Sequence, residues 1–388
     1  MPALLSRTVA LLVTLAVALS AMPLTAAAAS ELRVSGSAKH HKRSKHHKHK
    51  KHRRHKRHRK HRRVRKKKQP VAIVPKPVVT RPAESAPSTS SSNPFAGARF
   101  YVDPDSDAAK TQRQWAAAGR AGDAAMMGKI ASQPSAKWFG DWTYGHGGTA
   151  GDVSWWVGKV TATGAMPVLV AYDLPWRDCG QYSSGGASSP AAYQSFIDQM
   201  AQGIGAHRAA VILEPDGLPE LGCLPSDKQA TYYSLLQYAV SHLSANPLVA
   251  VYLDAGHSRW QPASTMISRL KQAGVAGARG FALNTSNFNA TSSEIAYGSS
   301  IVQGLGMDKH FVVDTSRNGK GPAPGGAWCN PPGRGLGEAP SAQTASPLVD
   351  AYFWVKGPGK SDGTCNGGPA AGTWWPDYAL TLAQNAVF

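Results

Sequence analysis

Short apolar runs alternate with longer segments of helical periodicity over most of the chain. Most of these runs are apolar at every position, which is typical of parallel strands covered by helices on both faces. They predict eight strands, at Ala98–Val102, Ala136–Phe139, Met166–Tyr172, Ala209–Leu213, Leu248–Leu253, Gly280–Leu283, His310–Val313 and Ala351–Val355. Because strand and helix alternate throughout, the pattern predicts an α/β barrel.

The segments between the runs predict helices. The clearest spans Asp227–Ser244, where apolar residues recur at helical spacing behind a possible cap at Ser226 and Asp227. Three further helices are predicted at Ala191–Gly205, Ala263–Ala273 and Ser293–Leu305. The last two are expected to end at Gly274 and Gly306, since glycine readily adopts the left-handed conformation that ends a helix.

The first 92 residues differ in composition from the rest. Residues 1–29 combine Arg7, an apolar stretch Val9–Ala21 and a small-residue site, which predicts a secretory signal peptide too short to span a bilayer. Residues 30–69 are rich in Lys, Arg and His and predict a disordered segment, and residues 70–92 read as a Pro/Ser-rich linker. The catalytic domain is therefore expected at residues 93–388, in a secreted, extracellular protein for which association with the cell wall is a further expectation.

The positive charge is confined to one segment. Lys39–Lys68 contains 19 Lys and Arg and no acid, so subtracting it from the formal net charge of +20 leaves +1 for everything else. We therefore expect neither a specific nucleic-acid partner nor a membrane span, but a monomer whose basic segment is drawn to anionic cell-wall polymers. The histidines of this segment have no fixed ligand geometry, so no metal or other cofactor is expected.

Three of the predicted strands lead into an aspartate. Asp178, Asp216 and Asp362 follow the third, fourth and eighth runs. The carboxyl ends of barrel strands meet at the end where barrel enzymes hold their catalytic residues, so these side chains are expected to converge. A lone acid at a strand end more often caps a helix or pairs with an arginine. Three together favour cleavage of a glycosidic bond, which needs one protonated and one ionised carboxyl.

All four cysteines, Cys179, Cys223, Cys329 and Cys365, fall within the predicted catalytic domain. An even number of cysteines in an exported chain predicts two disulfides. The sequence alone leaves three connectivities open.

Seven motifs along the domain together resemble glycoside hydrolase family 6, the cellulases. They are Tyr172-Asp-Leu-Pro-Trp-Arg-Asp-Cys179, Glu214-Pro-Asp216, Leu253-Asp-Ala-Gly-His257 with Trp260, Asn284-Thr-Ser-Asn-Phe288, Asp314-Thr-Ser-Arg-Asn-Gly-Lys-Gly-Pro322, Trp328-Cys329 and Trp354-Val-Lys356 through Ser361-Asp-Gly363. The resemblance implies an inverting β-1,4-glucanase on a distorted, seven-stranded, TIM-like parallel β/α barrel. It also implies the pairs Cys179–Cys223 and Cys329–Cys365.

The resemblance also implies roles for individual residues. Asp216 resembles the general acid of the family, and Asp178 the aspartate that keeps this acid protonated. Asp362 resembles the debated base, which is thought to act through a chain of water. Tyr172 resembles the residue that crowds the distorted sugar at the cleavage point, and Ser184 the serine that helps to hold the water.

Substrate contacts are expected from His257, Asn287 and Lys356, which match binding positions of the family, although a single histidine or lysine at a strand end is more often a satisfied structural residue. Lys360 is the one departure, because it stands where the family has an acid. We expect this cation to alter a sugar contact and to favour ionised Asp362. We expect the flat rings of Trp138, Trp260 and Trp328 to stack on sugar units of the substrate.

The sequence therefore predicts a secreted endo-β-1,4-glucanase. Endo action is favoured because the segments after Cys179 and Cys329 are short and rich in Gly, Ser and Pro, whereas tunnel-forming members carry longer insertions there. Two alternatives are a glycan-binding or wall-anchored protein without significant hydrolysis, and a related enzyme that acts on mixed-linkage glucan or xylan. Sugar release from carboxymethyl-cellulose separates the first alternative from the enzyme.

Overall fold

The computed structural model describes residues 92–143 and 145–388. The predicted signal peptide, the basic segment and nearly all of the linker lie outside the described residues. The described chain contains eight α-helices: α1 (Asp107–Ala117), α2 (Ala121–Ala131), α3 (Thr149–Thr161), α4 (Pro190–Ile204), α5 (Ser226–Leu243), α6 (Ala263–Gln272), α7 (Thr291–Leu305) and α8 (Pro376–Gln384). None of these helices combines the length and apolar character that a membrane crossing requires.

Seven parallel strands form one curled sheet in sequence order. They are β1 (Lys137–Phe139), β2 (Val168–Ala171), β3 (Ala209–Leu213), β4 (Val249–Asp254), β5 (Gly280–Leu283), β6 (His310–Asp314) and β7 (Val349–Phe353). Two hydrogen bonds connect its edges, from Ala136 N–H to Trp354 O (2.9 Å) and from Trp138 Nε1–H to Val355 O (2.8 Å). The distorted, seven-stranded, TIM-like barrel expected from the family resemblance is thus confirmed.

The strands are buried on both faces, as their continuous apolar runs predict. Along β3, Ala210 and Ile212 point into the barrel, while Val211 and Leu213 pack against the surrounding helices. The inner core also contains Val170, Tyr252, Val312 and Phe353. Side chains therefore fill the barrel, and space for a ligand is left only where the strands end.

The first predicted strand, Ala98–Val102, is wrong. Phe100 makes a single parallel bridge to Met166, and no ladder continues from it. The ring of Phe100 lies 5.2 Å from the ring of Phe353 and 6.1 Å from the ring of Phe95, and together with Phe95 it fills the amino-terminal end of the barrel. The ring of Phe95 is fully buried and lies 5.3 Å from the ring of Phe353 and 6.0 Å from the ring of Tyr252. The segment is apolar because it packs against the inner core at the end of the barrel, and not because it pairs along a strand.

The helix predictions hold to within two residues at each end. Gly306 ends α7 in the left-handed conformation with φ 65°, as expected. The cap expected for α5 is wrong, because that helix already includes Ser226 and Asp227 and follows Pro225 without a side-chain cap. A proline suits this place, because its fixed φ directs the chain into the helix without a donor that needs a partner.

A buried ion pair closes the amino-terminal end of the barrel. Asp350, at the start of β7, is 1% exposed and accepts two hydrogen bonds from Arg279, from Nε at 2.7 Å and from Nη2 at 2.8 Å. It also accepts the hydroxyl of Tyr252 at 2.7 Å, and Nδ1 of His310 lies 3.2 Å away. One carboxylate thereby joins β4, β5, β6 and β7 at the end of the barrel opposite the strand-end aspartates.

We expect Asp350→Ala to lower the free energy of unfolding by about 3–5 kcal/mol, because it removes the acceptor shared by these donors. Denaturant unfolding of residues 93–388 measures the effect. Asp308→Ala is the matched control, since Asp308 is 64% exposed at its side chain and lies beside the same His310. A loss of stability no larger than that of the control would contradict this role for Asp350.

Candidate active site

A cleft of about 630 Å³ opens at the carboxyl ends of the strands. The structure brings Asp178, Asp216 and Asp362 together in its wall, as the sequence predicts. It also brings there most of the other predicted site residues, namely Trp138, Tyr172, His257, Trp260, Asn287, Trp328 and Lys356. Ser184 and Lys360 are not part of this wall.

The turn after β3 presents Asp216 through an unusual backbone. Glu214 and Asp216 have φ angles of 53° and 70°, in the left-handed region that residues other than glycine rarely adopt. The buried carboxylate of Glu214 accepts the backbone N–H groups of Asp173 and Leu174, at 3.0 and 3.1 Å. Asp216 N–H donates to Oδ2 of Asp254 at 3.1 Å. These bonds hold a strained turn that directs the side chain of Asp216 into the cleft.

Asp216 is surrounded by other acids. Burial is the main cause that raises the pKa of Asp216 well above the ordinary aspartate value, and the next causes are the carboxyl groups of Asp254, Glu220 and Asp178. Lys356 opposes this effect. Since negative neighbours disfavour a further negative charge, they favour the protonated form of Asp216.

Asp178 lies in a short turn directly after the loop that follows β2. Its φ angle is 57°, and its Oδ2 accepts the backbone N–H of Ser183 at 2.6 Å. Burial raises the pKa of Asp178, while the Ser183 bond, Arg177 and Lys356 oppose the rise. The pKa of Asp178 is therefore raised less than the pKa of Asp216.

Asp362 has the opposite environment. Arg317, which is fully buried, donates from Nη1 to Asp362 Oδ2 at 2.8 Å, and Nζ of Lys356 lies 3.2 Å from Oδ1. Asn330 N–H also donates to Oδ2, at 3.0 Å. Burial alone would raise the pKa of Asp362, but Arg317 and Lys356 outweigh it and hold this pKa below the usual value. Asp362 is therefore ionised even in acidic solution.

Aromatic rings line both halves of the cleft. The ring of Trp138 meets Tyr172 edge to face at 5.2 Å, and burial raises the pKa of Tyr172 well above its usual value, so its hydroxyl stays protonated. Trp328 is 46% exposed and lies 6.1 Å from the ring of Tyr182, and Trp260 lies 5.4 Å from the ring of His257. Partly exposed rings of this kind can stack on the apolar faces of sugars.

His257 and Asn287 supply polar contacts to the cleft. Burial, with a smaller effect of Arg259, lowers the pKa of His257 to about 4, so the ring is neutral. Its Nδ1 accepts the N–H of Arg259 at 3.2 Å, which leaves the ring proton on Nε2. Asn287 donates from Nδ2 to Thr285 O at 3.0 Å, which orients its amide.

Ser184 is exposed on the loop after Asp178, and its N–H donates to Gln181 O at 3.2 Å. Its neighbour Ser183, and not Ser184, lines the cleft and contacts Asp178. In this structure Ser183, and not Ser184, is therefore the serine of this loop beside Asp178.

Lys360 lies outside the cleft wall. Its Nζ donates to Asp107 Oδ2 at 2.6 Å, which joins the loop after β7 to the start of α1 outside the cleft. The cations that act on Asp362 are Arg317 and Lys356. The positive charge at position 360 is therefore paired with a local acid outside the cleft wall.

The two disulfides are those that the resemblance implied. Cys179 pairs with Cys223, and Cys329 pairs with Cys365. The first joins the loop beside Asp178 to the loop that follows Asp216, and the second joins the loop beside Trp328 to the loop that carries Asp362. Each bond thus fixes the spacing between two walls of the cleft.

Three charged residues of the site were missed by the sequence analysis. Asp254 ends β4 and supports Asp216, Glu220 lies one turn after Asp216 in the cleft wall, and Arg317 pairs with Asp362. Asp254 carried the same signal as the three predicted acids, since it follows an apolar run. Among the described residues, the His, Cys, Asp and Glu side chains form no group of three that could hold a metal ion.

The arrangement combines a protonated carboxyl and an ionised one in a single aromatic-lined cleft. One can donate a proton, and the other can accept one or stabilise positive charge. This is the pair of functions that cleavage of a glycosidic bond requires.

Comparisons with known proteins agree with this geometry. Endoglucanase A of Cellulomonas fimi is 46% identical over 287 residues, which cover 74% of this chain and 61% of the relative. Endoglucanase 1 of Streptomyces halstedii is 41% identical over 313 residues, covering 78% of this chain and 92% of the relative. The structure of the endoglucanase Cel6 from Mycobacterium tuberculosis matches with a TM-score of 0.70 and 45% identity, over 76% of this chain and 99% of that one.

The match extends over nearly the whole described domain. This chain spans about three fifths of the length of the Cellulomonas fimi relative. The family model for glycosyl hydrolases family 6 matches residues 95–386. With the barrel, the three aspartates and both disulfides in place, the chain belongs to glycosyl hydrolases family 6.

Proposed function

We propose that this protein is a secreted endo-β-1,4-glucanase that hydrolyses internal bonds of cellulose with inversion at the anomeric carbon. The observation that carries the proposal is the contrast between the surroundings of two carboxyls in one cleft, since Asp216 lies among acids whereas Asp362 is paired with Arg317 and Lys356. The family relatives support the substrate class. The Mycobacterium tuberculosis endoglucanase was solved in complex with methyl-cellobiosyl-4-deoxy-4-thio-β-D-cellobioside, a cello-oligosaccharide analogue.

In the proposed reaction, Asp216 gives its proton to the leaving oxygen while a water molecule attacks the opposite face of the sugar. Asp362 takes the proton of that water through further water, and Asp178 helps to keep Asp216 protonated and stabilises positive charge on the sugar. Tyr172 crowds the sugar at the cleavage point. The bond from carbon to the leaving oxygen breaks, the bond from carbon to water forms, and the configuration inverts.

Action inside the chain is supported by the relatives and by the loops. The first four curated relatives are named endoglucanases and are 39–46% identical, whereas those named cellobiohydrolase C are 32–35% identical. The segments after Cys179 and Cys329 are short and rich in Gly, Ser and Pro, which favours an open cleft.

Hydrolysis of a panel of glucans, with the anomers of the first products followed by NMR, tests the proposal. We expect a rapid fall in the viscosity of carboxymethyl-cellulose and α-anomers as first products. Binding without sugar release would favour a glycan-binding protein, and faster turnover of mixed-linkage glucan or xylan would favour another substrate. Early β-anomers would exclude the inverting reaction.

Asp216→Ala should lower turnover of carboxymethyl-cellulose by about 10²–10⁴-fold, because the leaving oxygen loses its proton donor. The variant should lose less turnover on substrates whose leaving group needs no proton. Asp198→Ala, on the outer surface of α4, is the control and should keep full activity. Near-normal turnover by the Asp216 variant would contradict its role as the acid.

Lys356→Met should move both limbs of the pH–rate profile to higher pH. Activity is lost as pH falls through the pKa of Asp362 and as pH rises through the pKa of Asp216. Lys356 lowers both pKa values, so its removal raises both. Lys110→Met, an exposed change on α1, should leave the profile unchanged. Unmoved limbs in the Lys356 variant would rule out this electrostatic role.

We also propose that the basic segment, residues 30–69, holds the secreted enzyme on anionic cell-wall polymers. The support is its sequence, since Lys39–Lys68 within it contains 19 Lys and Arg and no acid, which form a strong attraction for phosphate and carboxylate groups. The rest of the chain is nearly neutral and offers no comparable attraction.

Deletion of residues 30–69 should leave turnover of small oligosaccharides unchanged and abolish retention on purified walls at low salt. The full chain should be released as salt is added, because its contacts are electrostatic. Equal retention of both proteins at low salt would show that the segment is not an anchor.

A further inference from the structure

The loop after β4, residues 257–261, carries two side chains of the cleft, His257 and Trp260. Side chains of α7 form hydrogen bonds with this loop. Glu294, which is fully buried in α7, accepts the backbone N–H of Ser258 at 3.1 Å and its hydroxyl at 2.6 Å. The second oxygen of Glu294 lies 3.2 Å from the same N–H.

A second contact holds the other end of this loop. The hydroxyl of Tyr297, one turn after Glu294 on α7, donates to Gln261 O at 2.7 Å. Residues three apart lie on the same face of a helix. One face of α7 therefore fixes both ends of the segment that presents His257 and Trp260.

The same loop is tied to the loop that follows Asp216. Gln261 donates from Nε2 to Pro219 O at 2.9 Å, and Arg269 donates from Nη1 to Leu218 O at 2.6 Å and to Pro219 O at 2.9 Å. The two loops also pack closely at Gly256, where an added Cβ would lie 2.7 Å from the ring of Pro219. The loop after β4 thus has a fixed position relative to Asp216.

The identity of Glu294 is not explained by stability alone. A fully buried carboxyl is costly, and among the described residues no Lys or Arg forms an ion pair with it. Both of its oxygens accept hydrogen bonds from one residue, Ser258, which directly follows His257. An apolar side chain would fill the same space without this cost, but it would leave the loop without its acceptor.

We propose that Glu294 and Tyr297 are positioning residues that hold His257 and Trp260 at the distance from Asp216 that the leaving sugar requires. The inference rests on the proposed function. Asp216 must stand beside the leaving oxygen, and the loop after β4 forms the cleft wall next to it. We call the surface formed by His257 and Trp260 the platform. Because the platform is already in place, substrate binding does not carry the entropic cost of ordering the loop.

The test compares a substrate whose leaving group is a sugar with a substrate whose leaving group is dinitrophenol. Cellopentaose places sugar units against the platform, whereas dinitrophenyl β-cellobioside has a leaving group that needs neither a proton nor the platform. We expect Tyr297→Phe and Glu294→Ala to lower kcat/KM for cellopentaose by roughly 10–100-fold, mainly through KM, and to leave the aryl substrate within about twofold. Glu294→Gln keeps one acceptor for Ser258 and should recover part of the loss.

Tyr238→Phe is the matched control, because it removes a tyrosine hydroxyl that donates to Asp198 at 2.8 Å between the outer helices α4 and α5. It should change neither substrate. Unchanged cellopentaose kinetics in Tyr297→Phe, or equal losses on both substrates, would overturn the proposal. Tyr297→Phe loses only a hydroxyl, so it decides the question even if Glu294→Ala does not fold. A wild-type protein that is inactive on both substrates would instead contradict the proposed function.

Discussion

The opposite charge states of Asp216 and Asp362 are the constraint on which the site depends. Both carboxyls line one cleft, and burial raises the pKa of each, so burial cannot distinguish them. Their neighbours do. Asp216 is surrounded by acids, whereas Asp362 lies between Arg317 and Lys356. The sign of the nearest charges therefore assigns the proton to one residue and the negative charge to the other.

The barrel supplies this difference because it brings distant segments to one end. Asp216 follows β3 and is supported by Asp254 at the end of β4, whereas Asp362 follows β7 and is paired with Arg317 after β6. The left-handed backbone at Glu214 and Asp216 is tolerated because buried carboxylates accept the nearby N–H groups. The ion pair of Asp350 with Arg279 stabilises the opposite end, so that stability and chemistry occupy separate ends of the barrel.

The sequence predicted the features that are local or repetitive. Seven of the eight predicted strands are present, because a strand buried on both faces is apolar throughout, and the strand-end acids follow from the same runs. The strand predicted at Ala98–Val102 is absent, because apolar composition does not distinguish a paired strand from a segment that packs across the end of a barrel. Lys360, Arg317 and Glu294 depend on partners from 36 to 253 residues away in the chain, as in the contact of Lys360 with Asp107, and no local pattern reveals such pairings. Position in a motif suggested that Lys360 faces the sugar, whereas an acid on α1 determines where it points.

A direct titration of the two carboxyls is the sharpest measurement. In protein labelled with ¹³C at the aspartate carboxyl carbons, the NMR signals missing from Asp216→Asn and from Asp362→Asn identify the two groups. The account predicts that the Asp216 signal titrates well above the ordinary aspartate pKa of about 3.9, and that the Asp362 signal remains ionised below it. An Asp216 signal that titrates at or below that of Asp362 would contradict the account.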